Sequence, residues 1–229
     1  MNRTQQIQYL IHVLLNEMPS YQEQARAFPQ DELSQRRLLR SLMNVRPPMP
    51  LDPSFLAVQD GLLSAEREEK GVVEADTLPD RPGHPGIAIW QGDITRLKAD
   101  AIVDADNDRL LGCFVPCHGC IDNAIHSAAG LQLRDECSRL MEQQGRPEPT
   151  GQAKLTGGYN LPARYVLHTV GPIIHGRVTP RDREQLASCY RSCLKLASEH
   201  ELQSVAFCCI STGEFHFPNQ EAARIAVQT

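Results

Sequence analysis

No stretch of the chain approaches the roughly 20 consecutive apolar residues of a transmembrane helix, which argues against a membrane span. The N-terminus also fails as a secretory signal, because the apolar stretch from Leu10 to Leu15 is broken by His12 and followed by Glu17. Positive charge is in short supply. A net charge of −5 disfavours non-specific binding to nucleic acid or to acidic membranes. There is no internal repeat and no long low-complexity segment. A second Cys or His pair at zinc-finger spacing is missing too, so a closed four-ligand metal site has few donors to draw on. What remains is a cytoplasmic protein with one substantial domain, or one domain with an extension, in 229 residues. Its charged and apolar fractions, 22% and 41%, are those of a soluble globular chain.

The informative stretch is residues 101–130. Ala101-Ile102-Val103 reads as the end of a buried strand. A polar loop follows, and then Ile121, Ala124, Ile125, Ala128 and Ala129 recur at helical spacing. Such a strand-loop-helix unit delivers its loop to the carboxyl end of a sheet, where α/β folds hold ligands.

Within that loop stand Cys113, Cys117, His118 and Cys120, four soft or borderline donors in eight residues. In a secreted chain eight cysteines would suggest disulfides; in a cytosolic one this cluster points to metal. Cys113, His118 and Cys120 supply three ligands for a tetrahedral Zn²⁺ and leave the fourth position to water or substrate. A fourth protein ligand would have to be Cys117, but adjacent residues such as Cys117 and His118 rarely reach one ion together. The plainer alternative is reduced cysteines packed as small hydrophobes.

Asp122, at the loop-helix junction with Asn123, can cap the helix or accept a proton. His126 lies four residues on and reads as a structural hydrogen-bonding group. Ser211-Thr212-Gly213-Glu214-Phe215 follows the apolar run 205–210, and the N–H groups of such a turn can cradle a pyrophosphate.

Elsewhere the pattern predicts helices over residues 1–70, carried first by Ile7, Leu10, Ile11, Leu14, Leu15 and Met18. A second stripe, Leu38, Leu39, Leu42 and Met43, extends the helix opened by Leu33. Arg36, Arg37, Arg40 and Arg46 read as a solvated or salt-bridged face, with phosphate contact as the alternative. Residues 71–86 read as a Pro-rich linker. Strands are expected at 87–90, 101–103, 153–156, 165–170 and 205–210, the last as a central buried strand. Helices are expected at 181–197 and from about Asn219. Strands alternating with helices give an α/β fold with a mixed or mostly parallel sheet.

From about Ile87 onward these residues resemble a macrodomain, the ADP-ribose-binding α/β/α fold. The matching pieces are Gly92-Asp93-Ile94-Thr95, Ala101-Ile102-Val103, Asn107, Leu111-Gly112, the helix from Asp122 to Gly130, Leu155-Thr156-Gly157, Tyr165 to Pro172 and Ile210 to Gly213. The Cys113…His118-x-Cys120 insertion, with the extension from Arg37 to Pro48, resembles the zinc-containing subfamily. The resemblance implies a three-layer α/β/α domain over residues 87–229 with a mixed central sheet, preceded by a helical extension over 1–70.

The activity it implies is zinc-dependent hydrolysis of the C1″ glycosidic bond that joins ADP-ribose to a modified protein, in opposition to a sirtuin-like transferase acting on lipoyl-carrier proteins. The alternative is a non-catalytic reader of ADP-ribose with a structural zinc. Residue by residue, the resemblance implies that Asp93 and Ile94 meet adenine and that Asn107 binds the distal ribose. It further implies that residues 211–215 wrap the diphosphate, that Cys113, His118 and Cys120 hold zinc, and that Asp122 acts near the scissile bond.

Two departures stand out. The family usually has Asn-Ala-Ala-Asn where this chain has Asp104-Ala105-Asp106-Asn107. If both carboxylates faced the dianionic ligand they would weaken its binding, and Asp104→Asn would tighten it. The chain also ends at Thr229 inside an expected helix, where the family continues with more helix, a strand and a final helix. The sheet edge there is expected to be open.

Overall fold

Apolar stripes at helical spacing shape the first 70 residues of the computed structural model, which describes all 229 residues. Helices α1 (Arg3–Glu17), α2 (Gln22–Arg26), α3 (Glu32–Val45) and α4 (Pro53–Lys70) pack around Ile7, Leu10, Leu14, Leu39, Leu42, Phe55 and Leu62. Burying one such side chain contributes about 1.5–3 kcal/mol. Side-chain oxygens start three of these helices. Asn2, Asp31 and Asp52 each accept from backbone N–H groups at the N-terminus that would otherwise lack partners.

The main sheet holds four strands in the order β6-β7-β5-β8. They are β5 (Ala101–Asp106), β6 (Ala153–Gly157), β7 (Tyr165–Val170) and β8 (Val205–Ala206). β5 runs parallel to both β7 and β8, whereas β6 runs antiparallel to β7, so the sheet is mixed. Strand alternation sends Ile102, Val166 and Val170 to one face, where α5 (Ile121–Ala129) and α6 (Leu131–Gln144) cover them. Ala101, Val103 and Leu167 point to the other face, under α7 (Pro180–Glu199) and α8 (Asn219–Gln228). The result is a three-layer α/β/α arrangement.

The helical extension docks through polar side chains as well as through Leu131, which joins its apolar core. The Asp60 carboxylate accepts from Gln132 Nε2 (2.8 Å) and Asn160 Nδ2 (2.7 Å), and Gln59 Oε1 accepts from the Leu131 N–H (3.0 Å).

Two strand expectations change. The run 205–210 forms only a two-residue, half-buried strand at the sheet edge, not a central one. Beyond Ala206 the chain turns, and the Ile210 N–H bonds back to the Cys208 carbonyl rather than along a ladder. The strand expected at 87–90 is instead β3 (His84–Ala88), paired with β2 (Asp80–Arg81) in an exposed hairpin apart from the main sheet. The segment 71–86 is therefore not structureless; it also contains β1 (Val73–Glu74), which pairs in parallel with β4 (Leu97–Lys98). No helix is long and apolar enough to cross a membrane.

Asp100 ties the strand ends together before β5. Its carboxylate accepts from the N–H groups of Gln203 (2.7 Å) and Ser204 (3.3 Å) and pairs with Arg164 (3.0 Å). Chiefly the Gln203 N–H, with Arg164 assisting, holds that carboxyl below the usual carboxylate range. A lowered pKa makes the contribution complete above the unfolded value of about 3.9 and lost as pH falls through the folded value. Asp100→Ala should cost about 1 kcal/mol at pH 7, a figure kept small by partial exposure. Urea unfolding at pH 7 and near pH 3.5 should show the gap between variant and parent narrowing in acid.

Candidate functional site

Between β5 and α5 the chain makes a loop that it cannot shape alone. The side chains of α3 shape it from outside. Asn44 Oδ1 accepts from the Cys117 N–H (2.9 Å), and Arg40 donates to the His118 carbonyl (3.4 Å) and to Asn123 Oδ1 (2.7 Å). Asn123 in turn donates to the Val115 carbonyl (3.0 Å). Cys117 takes a positive φ of 52° and turns its sulfur toward α3, 3.3 Å from Ser41 Oγ and 3.6 Å from the Arg37 carbonyl.

That turn separates Cys117 from its neighbours. Cys113, His118 and Cys120 bring one donor atom each within 4.8 Å of one another. His118 Nδ1 is buried without a hydrogen-bond partner, and its Nε2 lies 3.7 Å from Glu214 Oε1. Cys120 also caps α5, its sulfur accepting from the Asn123 N–H (3.4 Å). Burial pushes its thiol up to about 12. All eight cysteines are free. Two thiols and an imidazole with an orphaned ring nitrogen make a donor set that fits zinc.

Asp122 sits in the first turn of α5, 5% exposed. Its Oδ2 accepts from Asn107 Nδ2 at 3.3 Å, and its Oδ1 is buried without a partner. Burial first, and then the Asp106 charge, push the Asp122 carboxyl well above the usual range. Asn107 also donates to the Gly112 carbonyl (3.3 Å), so the loop start and the helix start are pinned together.

The stretch 211–215 is a tight loop. Ser211 has φ 63° and a buried hydroxyl with no partner, and its Phe217 N–H contact (2.9 Å) closes the loop at its base. It fits because residue 171 is glycine; a Cβ there would lie 2.0 Å from Ser211 Oγ. Thr212 bonds back to the Cys209 carbonyl through N–H and Oγ1, whereas the N–H groups of Gly213, Glu214 and Phe215 find no acceptor in the chain. Successive free N–H groups suit an anion.

Asp93 and Ile94 are placed differently. Asp93 caps a short 3₁₀ turn, accepting from Thr95 N (3.0 Å) and Oγ1 (2.7 Å), while Ile94 is buried. Asp93 opens on a cleft of about 400 Å³ walled by Arg36, Arg37 and Arg40 of α3 and by Ala124, Ser127 and Ala128 of α5. At 100° per residue those α5 positions lie on the helix face opposite Asp122. The structure thus brings together Asn107, Asp122, the three metal-type donors and Glu214, but not Asp93. Of the basic cluster, Arg36 pairs with Glu66 (2.6 Å) and Arg46 with Glu17 (2.6 Å), which fits a salt-bridged face.

Two expectations change and one residue was missed. Asp104 and Asp106 do not face outward. Alternation along β5 turns both carboxylates into the layer beneath α5 and α6, wholly buried, so their charges are spent on the interior. His126 is no ordinary hydrogen-bonding residue either, since neither ring nitrogen has a partner. Arg134, 3% exposed, donates to the carbonyls of Met43, Asn44, Arg46 and Leu111 at 2.6–2.9 Å and stacks 4.4 Å from the Phe114 ring. Nothing in the spacing around Arg134 marks it, because all its partners are distant in sequence or lie in a loop.

The Macro domain family model matches residues 103–226, which is 124 of the 229 residues. A curated relative from Treponema medium, named Protein-ADP-ribose hydrolase, is 52% identical over 96% of this chain and 85% of its own. A relative of the same name from Staphylococcus aureus is 53% identical over 84% of this chain and 72% of its own. Among solved structures, the Trypanosoma brucei macrodomain in complex with ADP-ribose aligns with a TM-score of 0.62 and 35% identity, covering 82% of this chain and 80% of that one. The three-layer architecture and these matches lead to one conclusion: the chain belongs to the macrodomain family.

Proposed function

We propose that this chain hydrolyses the bond between ADP-ribose and a modified protein side chain, with zinc held by Cys113, His118 and Cys120. The observation that carries this is a buried carboxylate, Asp122, hydrogen-bonded to Asn107 at the foot of a loop bearing a three-donor metal set. Relatives named as protein-ADP-ribose hydrolases, similar over nearly the whole chain, support it.

The reaction breaks the C1″ bond of the distal ribose. Water adds its hydroxyl to C1″, and its proton ends on the departing side chain. Asn107 offers an amide that can bind a ribose hydroxyl and fixes the Asp122 carboxylate. Asp122, fixed by Asn107, takes the proton of the attacking water and passes it to the departing side chain. The free N–H groups of Gly213, Glu214 and Phe215 bind the diphosphate, with Ser211 and Thr212 holding that loop in shape. Asp93 and Ile94 remain the adenine candidates, now approached along the cleft lined by α3 and α5. Zinc, when bound, would hold a ribose hydroxyl or water and stabilise developing negative charge. Lipoyl-carrier proteins are the modified substrate to try first.

The direct test is to incubate the protein with an ADP-ribosylated lipoyl-carrier protein, with and without chelator, and measure released ADP-ribose. Release that stops on chelation and returns with zinc is expected. Tight binding of free ADP-ribose without release from any modified protein would replace the hydrolase with a reader module. Asp122→Asn should lower turnover by about 10²–10⁴-fold while calorimetry shows little change in ADP-ribose affinity. Cys113→Ala, His118→Ala and Cys120→Ala should each remove one equivalent of zinc and abolish turnover, with ADP-ribose binding surviving. Cys117→Ala should keep both metal and activity. Normal turnover by the variants that lack the loop zinc would make that metal structural and leave Asp122 to act alone.

A further inference from the structure

Beneath the candidate site lies a second group of donors that the proposed chemistry does not use. Asp104 and Asp106 leave β5 on the same face, two residues apart. His168 stands on β7 in register with Asp104. His126 descends from α5 onto the same point. Four side chains from three elements thus converge, each offering one atom within 4.8 Å of the others, and all four are buried.

Three of the four imidazole–carboxylate spacings between them are too long for hydrogen bonds. His126 Nε2 lies 3.9 Å from Asp104 Oδ2, 4.0 Å from Asp106 Oδ2 and 3.6 Å from Asp122 Oδ1 of the candidate site above. His168 Nδ1 lies 3.8 Å from Asp104 Oδ2 and 3.2 Å from Asp106 Oδ2. Only the last is short enough for a hydrogen bond. A tetrahedral ion with bonds of about 2.0–2.1 Å sets its ligand atoms about 3.3–3.4 Å apart, so the longer of these separations would close by roughly half an ångström or more on binding.

Satisfaction points the same way. Both oxygens of Asp104, which is 0% exposed, and both nitrogens of His126 lack any partner. Leaving such groups unpaired in the interior is expensive, and native structures rarely do so without a reason. His168 Nε2 lies 2.9 Å from Thr156 Oγ1, whose hydroxyl reaches the Gly157 carbonyl at 3.4 Å. In the tautomer that donates Nε2–H to Thr156, the Nδ1 lone pair faces two carboxylates, the outer-shell pattern of a metal-bound histidine; in the other, Nδ1–H donates to Asp106 Oδ2 at 3.2 Å. Arg134, whose charge reaches Asp106, gives its N–H groups to backbone carbonyls instead.

We propose that Asp104, Asp106, His126 and His168 form a second, buried site for a divalent first-row transition-metal ion. Two imidazoles with two carboxylates favour such an ion over magnesium or calcium, which take oxygen ligands. The ion would join β5, β7 and α5 and balance the carboxylate charge under Asp122. The site is independent of the thiolate loop, and its test separates the two.

Cobalt(II) is the probe, loaded into the full chain after chelator treatment, with metal content measured by mass spectrometry. The parent should hold about two ions. Cys113→Ser combined with Cys120→Ser should retain one, with weak visible bands and no thiolate-to-cobalt charge transfer in the near ultraviolet. Retention of one ion by that variant when the parent also holds only one would keep the buried site and discard the loop site. A folded double variant holding no metal would overturn the proposal. If that variant does not fold, His126→Gln in the parent decides: it should lose one ion and keep the charge-transfer band, and an unchanged metal count would overturn the proposal equally.

Discussion

One buried guanidinium holds the molecule's two halves in register. Arg134 rises from α6 and meets the carbonyls of Met43 and Asn44 at the end of α3, the Arg46 carbonyl beyond it, and Leu111 in the loop. Carbonyls at a helix C-terminus lack intrahelical donors and carry partial negative charge, so a cation is the natural partner for them. Burial lowers the Arg134 pKa to about 10, yet the group stays charged, and its Nε and Nη1 donate to carbonyls. Removing it would leave several interior carbonyls unpaired, at about 1–3 kcal/mol for each one. Asn44 would lose its anchor, and Asn44 holds both Cys117 and Ser127.

The helix α5 shows how one element serves several purposes. Its inner face carries Asp122, Ile125, His126 and Ala129 to the sheet, where apolar packing and the carboxylate-imidazole group meet. Its outer face, Ala124, Ser127 and Ala128, is kept small and lines the basic cleft against α3. Its first turn is capped by a cysteine sulfur, so the metal-type donors and the helix start share an atom. Small residues outside let α3 approach closely enough for Arg40 and Asn44 to reach the loop. Of the polar residues inside, Asp106 and His168 meet at 3.2 Å, whereas Asp104 and His126 stand without partners.

The sequence made local chemistry legible and long-range chemistry not. Cys113, His118 and Cys120 are close in the chain, so their convergence needed only a turn to be foreseen. β7 and α7 were readable because a short run rich in β-branched and aromatic residues and a clean helical stripe each coincide with buried positions. The run 205–210 misled because hydrophobicity alone does not say whether the chain stays extended; here it bends after Ala206. Asp104 and Asp106 were set against the wrong surroundings because a motif gives positions, whereas the strand's alternation decides which way each one points. His168 joins the carboxylates from 62 residues away in the case of Asp106, a separation no spacing rule spans.

The loop 113–120 takes its shape from side chains that precede their partners in it by 73 to 78 residues. Contacts of that span are costly to form early, because loop closure must come before the contacts repay it. The order of translation eases this. The chain emerges N-terminus first, and domains tend to fold as they appear. The helices of residues 3–70, with their own apolar core, precede Cys113 by more than forty residues. Arg40, Ser41 and Asn44 then stand on a formed surface when the cysteine loop arrives. In that sense the extension acts as an intramolecular mould for the loop, built before its casting.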